Sequence, residues 1–273
     1  MPELPEVETV RKALKNKVLN KKIKDIKIIY PKVFAIPSIS EVEEKIKNQT
    51  IQDMKRYGKW LIFVLDDYYL LSHLRMEGKY LYRNINDIYG KHELVSFILD
   101  DMELRYQDVR KFGRFYLLKK DELYSDKSPL IKLGKDPWDN TLTIDYLKEK
   151  YKNKKLEIKS CLLDQSIIVG IGNIYADEIL FLSKVNPYKK CCDLNDLELK
   201  NIIDNTRIVL KKAIEEGGTT IRSYTSEEGV SGKFQNNLYV HKRENEECKI
   251  CKNKIVREKI HGRSTYFCKA CQK

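Results

Sequence analysis

The sequence predicts an α+β protein with more than one domain, on three observations. Short β-branched and aromatic segments crowd residues 23–118, helical periodicity takes over beyond residue 143, and four cysteines with metal-ligand spacing lie near the end. A length of 273 residues suits two domains, and 42% hydrophobic residues can bury real cores.

The opening Pro2-Glu3-Leu4-Pro5 leads into a helix. Pro5 and Glu6 suit a first turn, where a missing N–H does no harm and a carboxylate meets the positive end of the dipole. Val7, Val10, Leu14 and Val18 then share one face. The segments 23–30, 51–57, 60–65, 68–74, 79–83, 94–99, 103–107 and 114–118 read as strands, split by Gly, Asp or Asn. So many short strands suggest a β-sandwich or a barrel. Residues 125–143, with Pro129, Gly134 and Pro137, have a linker's composition. Further on, Leu199, Ile202, Ile203, Thr206, Val209, Leu210, Ala213 and Ile214 make a helical stripe, opened by an Asn195/Glu198 capping box and stopped at Gly217-Gly218. Leu238-Tyr239-Val240 is expected to begin a last small β unit. No internal repeat and no low-complexity tract is visible.

The net charge of +12 favours a polyanionic partner without separating DNA from RNA or acidic lipid. From Cys248 to Lys273 there are eight Lys/Arg and one acidic residue, so this tail is the first phosphate-binding candidate. The start is acidic and proline-broken where a signal peptide needs a basic and then an apolar run. No apolar stretch approaches a membrane span. Seven cysteines, four in a metal-like pattern, argue for a reducing compartment, and the chain reads as cytoplasmic.

Cys248-x2-Cys251, sixteen residues, then Cys268-x2-Cys271 matches a zinc ribbon. Four thiolates fill a tetrahedral Zn2+, so the metal is expected to be single and structural. It would pin a loop carrying Arg257, Lys259, His261 and Arg263. Cys161, Cys191 and Cys192 read as ordinary thiols. The Gly170-Ile171-Gly172-Asn173 turn before a helix could receive a phosphate, though alone it is as well explained as a structural turn. Pro2 would be a secondary amine if Met1 is removed. An α-amino group titrates near ~8 against ~10.4 for lysine, so far more of it is nucleophilic at neutral pH. Attack on a sugar C1′ would give an iminium ion, with Glu3 beside it to donate or relay a proton.

Together these residues resemble one family. MPELPEVETV, Arg56-Tyr57-Gly58-Lys59, His73-Leu74-Arg75-Met76-Glu77-Gly78, Asp108-Val109-Arg110-Lys111-Phe112-Gly113, the Gly170–Glu178 run and the four-cysteine finger occur in the order seen in bacterial formamidopyrimidine-DNA glycosylases, bifunctional enzymes of 8-oxoguanine and ring-opened purines. The resemblance spans essentially the whole chain. It implies an α+β multidomain fold with an N-terminal β-sandwich led by a helix (2–124) and a linker (125–142). A helix–two-turns–helix region (143–236) and a β-hairpin zinc finger (237–273) follow, with DNA crossing between the halves. It also implies catalytic roles for Pro2 as Schiff-base nucleophile, Glu3 in base loss and sugar opening, Lys59 in β-elimination and Arg263 in δ-elimination, with Glu6 in support. Met76, Arg110 and Phe112 match the side chains that fill the gap left by the flipped nucleotide. Without the resemblance, Met76 and Phe112 would read as core. Asn173 and Lys159 match residues near the flipped nucleotide's phosphate, while His92 and Lys154 match further DNA-binding positions and otherwise read as surface. Residues 217–234 resemble a loop that closes over the lesion. After Tyr239-Val240 the family often has Tyr-Gly-Arg where this chain has His241-Lys242-Arg243, which leaves one phosphate contact to His241 or Lys242. The implied partner is duplex DNA containing an oxidised purine, bound by a monomer with no obligate protein partner and no membrane. Two competitors are an endonuclease VIII-like glycosylase of oxidised pyrimidines and a non-catalytic zinc-ribbon DNA-binding protein.

Overall fold

The structure, a computed structural model, describes all residues except 101, 122, 220–223 and 226–231, and only the backbone of 224–225. The chain divides into two compact units, Met1–Ile131 with Gly217–Gly232, and Lys132–Glu216 with Lys233–Lys273.

The first unit opens with α1 (Leu4–Val18), capped by Glu3 in a reciprocal box with Glu6. Its expected face, Val7, Val10, Leu14 and Val18, is fully buried in the unit's core. Two five-stranded sheets make the sandwich. One has the order β1 (Asp25–Ile28), β7 (Glu93–Ile98), β8 (Met102–Gln107), β6 (Lys79–Asn84) and β10 (Tyr224–Thr225). The other runs β2 (Phe34–Ile36), β9 (Arg114–Lys119), β5 (Tyr68–His73), β4 (Trp60–Val64) and β3 (Asp53–Tyr57). Inward residues such as Phe63, Leu70, Tyr80, Phe97, Tyr106 and Phe115 form one cluster. The aromatic content of the strands thus becomes a ring-packed interior.

Two elements of this unit lie outside the sequence reading. Helix α2 (Ile39–Ile46) has a Ser38/Glu41 capping box and packs Ile39, Val42 and Ile46 at helical spacing, a signal only two turns long set among strands. Strand β10 joins the sandwich from far along the chain, pairing parallel to β6 through Tyr224↔Tyr80 and Thr225↔Leu81. Gly217–Thr219 and β10 therefore belong with the sandwich and not with the 143–236 helical region in which the resemblance places them.

The second unit contains α3 (Ile144–Tyr151), α4 (Ile158–Leu163), α5 (Asn173–Leu182), α6 (Asp196–Glu215) and the hairpin β11 (Val256–Ile260)–β12 (Arg263–Phe267). The Asn195/Glu198 box caps α6, whose expected stripe is buried except for half-buried Ile214. The proline-rich stretch is only partly a linker. Gly134 N–H donates to the Gln165 carbonyl (2.8 Å), and Lys135 exchanges backbone bonds with Ile167 and Val169 (both 3.0 Å). The unit is joined before residue 136. Nor does Leu238-Tyr239-Val240 form a strand. The backbone N–H groups of Tyr239, Val240 and His241 donate instead to the buried Glu178 carboxylate at 2.7, 2.9 and 2.9 Å. That charged acceptor satisfies them without a partner strand.

Candidate active site and DNA-binding residues

The start of α1 collects the first group. Glu3 is buried and accepts from the Glu6 backbone, while its own N–H donates to Glu6 Oε2 at 2.9 Å. Glu6 Oε1 accepts the Thr219 N–H at 2.9 Å and its hydroxyl at 3.2 Å. Gly218 sits at φ +81°, and a Cβ there would lie 2.7 Å from Glu6 Oε1, so only glycine fits both the backbone and the approach. Pro2 is buried beneath a half-exposed Met1. While Met1 is attached, the Pro2 nitrogen is an amide and cannot act as a nucleophile, so the expected amine requires removal of that residue.

Further along α1, Glu8 pairs with Arg11 (2.7 Å) and with Arg56 on β3 (3.2 Å). Burial pushes the Glu8 carboxyl up, but the two guanidiniums outweigh it and hold the group below the usual carboxylate range. Arg56 also donates to the Gly58 carbonyl at 3.1 Å. The Gly58-Lys59 turn is in this way fastened to the helix that carries Glu3, and Lys59 is buried at its end.

A second group lies on two loops of the same sandwich. Met76, after β5, is 41% exposed and Phe112, before β9, is 47% exposed, so neither is core. Arg110, also exposed, stacks over the Phe112 ring at 4.6 Å. Buried Asp108 shapes that loop, accepting the Arg110 N–H (3.0 Å) and the Gly113 N–H (2.8 Å). Its own N–H donates to the carbonyl of half-exposed His92 at 3.0 Å, which ties His92 to the same loop. The Tyr106 hydroxyl wedges between the two loops. A Cβ on Gly78 would lie 2.2 Å from it, and one on Gly113 closer still. His73 is buried against Trp60, and its Nδ1 accepts the Arg75 N–H at 3.0 Å, which fixes the neutral ring. Burial first, then the positive charges of Arg75 and Lys59, drive its pKa down to about 3.

The second unit holds the rest. Lys159 and Asn173 both donate to the Ser264 carbonyl, at 2.8 and 2.9 Å, next to exposed Arg263 at the tip of the finger hairpin. Lys159 corrects the expectation of a phosphate contact. Its ammonium is buried, 2.7 Å from Asp177 Oδ1 and 2.9 Å from Thr265 Oγ1, so it positions the hairpin instead. His241 is likewise turned inward, its Nδ1 2.7 Å from Asp177 Oδ2, leaving the neighbouring surface to exposed Lys242. Lys154 keeps part of its side chain in solvent while pairing with Asp164 at 2.8 Å. Sequence reasoning missed Asp108, Tyr106, Asp177 and Glu178. Acidic residues beside Arg110 and on α5 were the available signal for three of them.

The hairpin turns at His261-Gly262 with φ 45° and 78°, the positive pair that a two-residue hairpin favours. At its base the Sγ atoms of Cys248, Cys251, Cys268 and Cys271 all lie within 4.8 Å of one another. One tetrahedral Zn2+ with Zn–S bonds near ~2.3 Å separates its sulfurs by about 3.8 Å, so the donor set fits a structural zinc with no open position.

The first unit is thus a helix-led sandwich, and the second joins four helices to a hairpin with a four-thiolate site. Three family profiles match in turn, the formamidopyrimidine-DNA glycosylase N-terminal domain over 1–115, its H2TH domain over 133–225, and the zinc finger found in FPG and IleRS over 245–273. The formamidopyrimidine-DNA glycosylase of Oceanobacillus iheyensis is 45% identical over 100% of this chain and 98% of its own length. That of Ligilactobacillus salivarius is 44% identical over 100% of this chain and 99% of its own. A Lactococcus lactis FPG mutant solved with Fapy-dG-containing DNA superposes with a TM-score of 0.91 at 37% identity, covering 100% of both chains. The L. lactis protein with abasic-site DNA gives 0.90 at 36% identity over 99% of both. The chain belongs to the formamidopyrimidine-DNA glycosylase family, DNA glycosylases and AP lyases of oxidised purines.

Proposed function

We propose that this chain excises 8-oxoguanine and ring-opened purines from duplex DNA with Pro2 as nucleophile, then cleaves the strand by β- and δ-elimination. The observation that carries the reading is the start of α1, where a buried carboxyl, Glu3, directly follows the prospective amine and is locked by Glu6. Once Met1 is removed, the Pro2 nitrogen attacks C1′, and the damaged base leaves with a proton, so that a closed-ring aminal remains. Glu3 relays the proton that O4′ takes as the C1′–O4′ bond breaks, and this ring opening leaves the iminium ion. Lys59 assists loss of the 3′ phosphate, and Arg263 grips the phosphate and supports the second elimination.

The target nucleotide must leave the stack, at a cost of a few kcal/mol. Met76 and Phe112 are apolar side chains held in solvent on loops, which suits wedges that refill the vacated space. Arg110, stacked on Phe112, offers hydrogen-bond donors to the orphaned base. His92, Lys154 and Asn173 serve the backbone around the lesion, and 217–234, whose middle lies outside the described residues, closes over the base. Bound Zn2+ supplies rigidity to the finger and no chemistry. The L. lactis relatives were solved with a Fapy-dG and with an abasic site, which here would be substrate and intermediate. No helix among the described residues is long and apolar enough to cross a membrane. We read the protein as a cytoplasmic monomer acting on nucleoid DNA, in keeping with a thiolate metal site that a reducing compartment preserves.

Borohydride trapping tests the nucleophile. Met1-free protein on an 8-oxoguanine·cytosine duplex should give a covalent adduct that maps to Pro2, and protein retaining Met1 should give none. An adduct on a lysine, or equal strand cleavage by both forms, overturns the assignment. Faster release of thymine glycol than of 8-oxoguanine would overturn the choice of purines.

A further inference from the structure

Three cysteines lie outside the zinc site, and two of them meet. In the second unit, α4 carries Cys161 and the short turn Cys191–Asp193 carries Cys191, with both residues buried. The Cys161 thiol donates to Cys191 Sγ at 2.9 Å, and the Cys191 thiol donates to the Lys154 carbonyl at 3.1 Å. The turn is fixed on either side, since Cys191 N–H donates to the Leu156 carbonyl (2.9 Å) and Lys190 bridges Glu157. Forming a bond of ~2.05 Å asks the sulfurs to close by about 0.9 Å.

Access is the second half of the argument. A cavity of about 470 Å³ is lined by Cys191, half-exposed Cys192, Tyr151, Lys148 and Lys152, which brings a solvent-filled space against the otherwise buried Cys191. Lys148, paired with Asp196 (2.6 Å), Glu149 and Lys152 give that wall a polar lining suited to a small polar oxidant.

We propose that Cys161 and Cys191 form an oxidisable dithiol, converted to a disulfide by a hydroperoxide that enters this cavity. The Cys191 thiolate attacks the peroxide oxygen, the O–O bond breaks, and Cys191 becomes a sulfenic acid as an alcohol, or water, departs. Cys161 sulfur then attacks the Cys191 sulfur and expels hydroxide, which takes the Cys161 proton to leave as water. In sum, two thiols and one hydroperoxide give one disulfide, one alcohol or water, and one further water. Burial first, and then its donation to Cys191, push the Cys161 thiol up, which assigns it the second step and not the first. The disulfide has no S–H for the Lys154 carbonyl, so oxidation removes that bond beneath the side chain of a residue the proposed function places on DNA.

The test treats the zinc-loaded full chain with graded hydrogen peroxide, alkylates the remaining thiols, maps peptides by mass and measures zinc in parallel. The expected product is a Cys161–Cys191 cross-linked peptide pair, two hydrogens lighter than the reduced pair, appearing at doses that leave zinc bound. C192S should form the same link, and C161S should instead leave Cys191 as a sulfenic acid that dimedone captures. Alkylated, unlinked Cys161 at doses that already release zinc overturns the proposal, as does a link confined to Cys191 and Cys192.

Discussion

Glu6 Oε1 accepts the backbone N–H of Thr219 at 2.9 Å, joining two residues 213 positions apart in the chain. Its other oxygen accepts the Glu3 N–H at 2.9 Å. One carboxylate therefore holds both the residue after the proposed nucleophile and the entry to the 217–232 segment. Each charge-assisted bond of this kind contributes roughly 1.5–3 kcal/mol. Glu6→Ala should lower the single-turnover excision rate by about ten- to a hundredfold, as a loss of that size predicts. Affinity for undamaged duplex should stay within about twofold, since Glu6 faces inward. Single-turnover kinetics beside a binding titration checks this, and an unchanged rate would show that the anchoring is not used.

Lys159 makes a prediction about stability that also reports on function. Its ion pair with Asp177 is buried on both sides, and Asp177 also meets His241. Removing one partner of such a pair leaves an uncompensated charge and typically costs about 3–5 kcal/mol. Lys159→Met should show that loss in urea unfolding, and Asp177→Asn in the same chain should recover part of it. Because Lys159 and Asn173 share the Ser264 carbonyl, the finger tip also loses a fixed point. Duplex affinity should fall even though the Lys159 ammonium is buried against Asp177. Full affinity in a folded Lys159→Met protein would refute the positioning role.

The sandwich was legible because its strands have one wet and one dry side or run apolar throughout, as Trp60–Val64 does, and because turn residues separate them. Helix α1 and helix α6 were legible for the same reason at helical period, and the zinc site because thiolate pairs at that spacing have few other uses. Strand β10 was not, because its pairing with β6 joins distant segments and leaves no periodic trace. Exposure of Met76 and Phe112 was not legible from periodicity either, since their hydrophobicity alone reads as core. Only the resemblance gave them another role. Lys159 and His241 went astray for a shared reason. The resemblance placed both near phosphate, and although an acid on α5 was visible in the sequence, only the fold shows that Asp177 captures them both.

His73 gives a pH prediction. Its folded pKa, about 3, lies below the ~6.5 of an unperturbed histidine. Above pH ~6.5 both states are neutral and the contribution is whole; as pH falls below that, the unfolded chain binds a proton that the folded chain refuses. Stability should then drop by about 1.4 kcal/mol per pH unit until the folded pKa is reached. His73→Asn, which retains an acceptor for the Arg75 N–H, should lose about 2 kcal/mol less than the parent between pH 7 and pH 5. Denaturant midpoints at the two pH values provide the comparison, and equal losses in the two proteins would mean that His73 protonates in place.

Removing the metal should separate grip from chemistry. The finger's own apolar cluster is small, Phe181, Val240, Cys248, Ile255 and Cys268 with a few half-buried neighbours, and two of those five are zinc ligands. A core of that size does not hold a hairpin without its ion. Cys248→Ser, or stripping with a strong chelator, should leave the hairpin disordered while the sandwich keeps its own unfolding transition. Arg263 would then lose both its supports, the zinc at the base and the Lys159/Asn173 clamp at Ser264. Duplex affinity should fall at least tenfold, and the slope of log K against log salt should become shallower by ~0.9 for each phosphate that the finger no longer neutralises. An unchanged salt slope with weakened binding would assign the finger a shape role without phosphate neutralisation. Unchanged affinity and slope in zinc-free protein would mean that the basic tail takes no part in holding DNA.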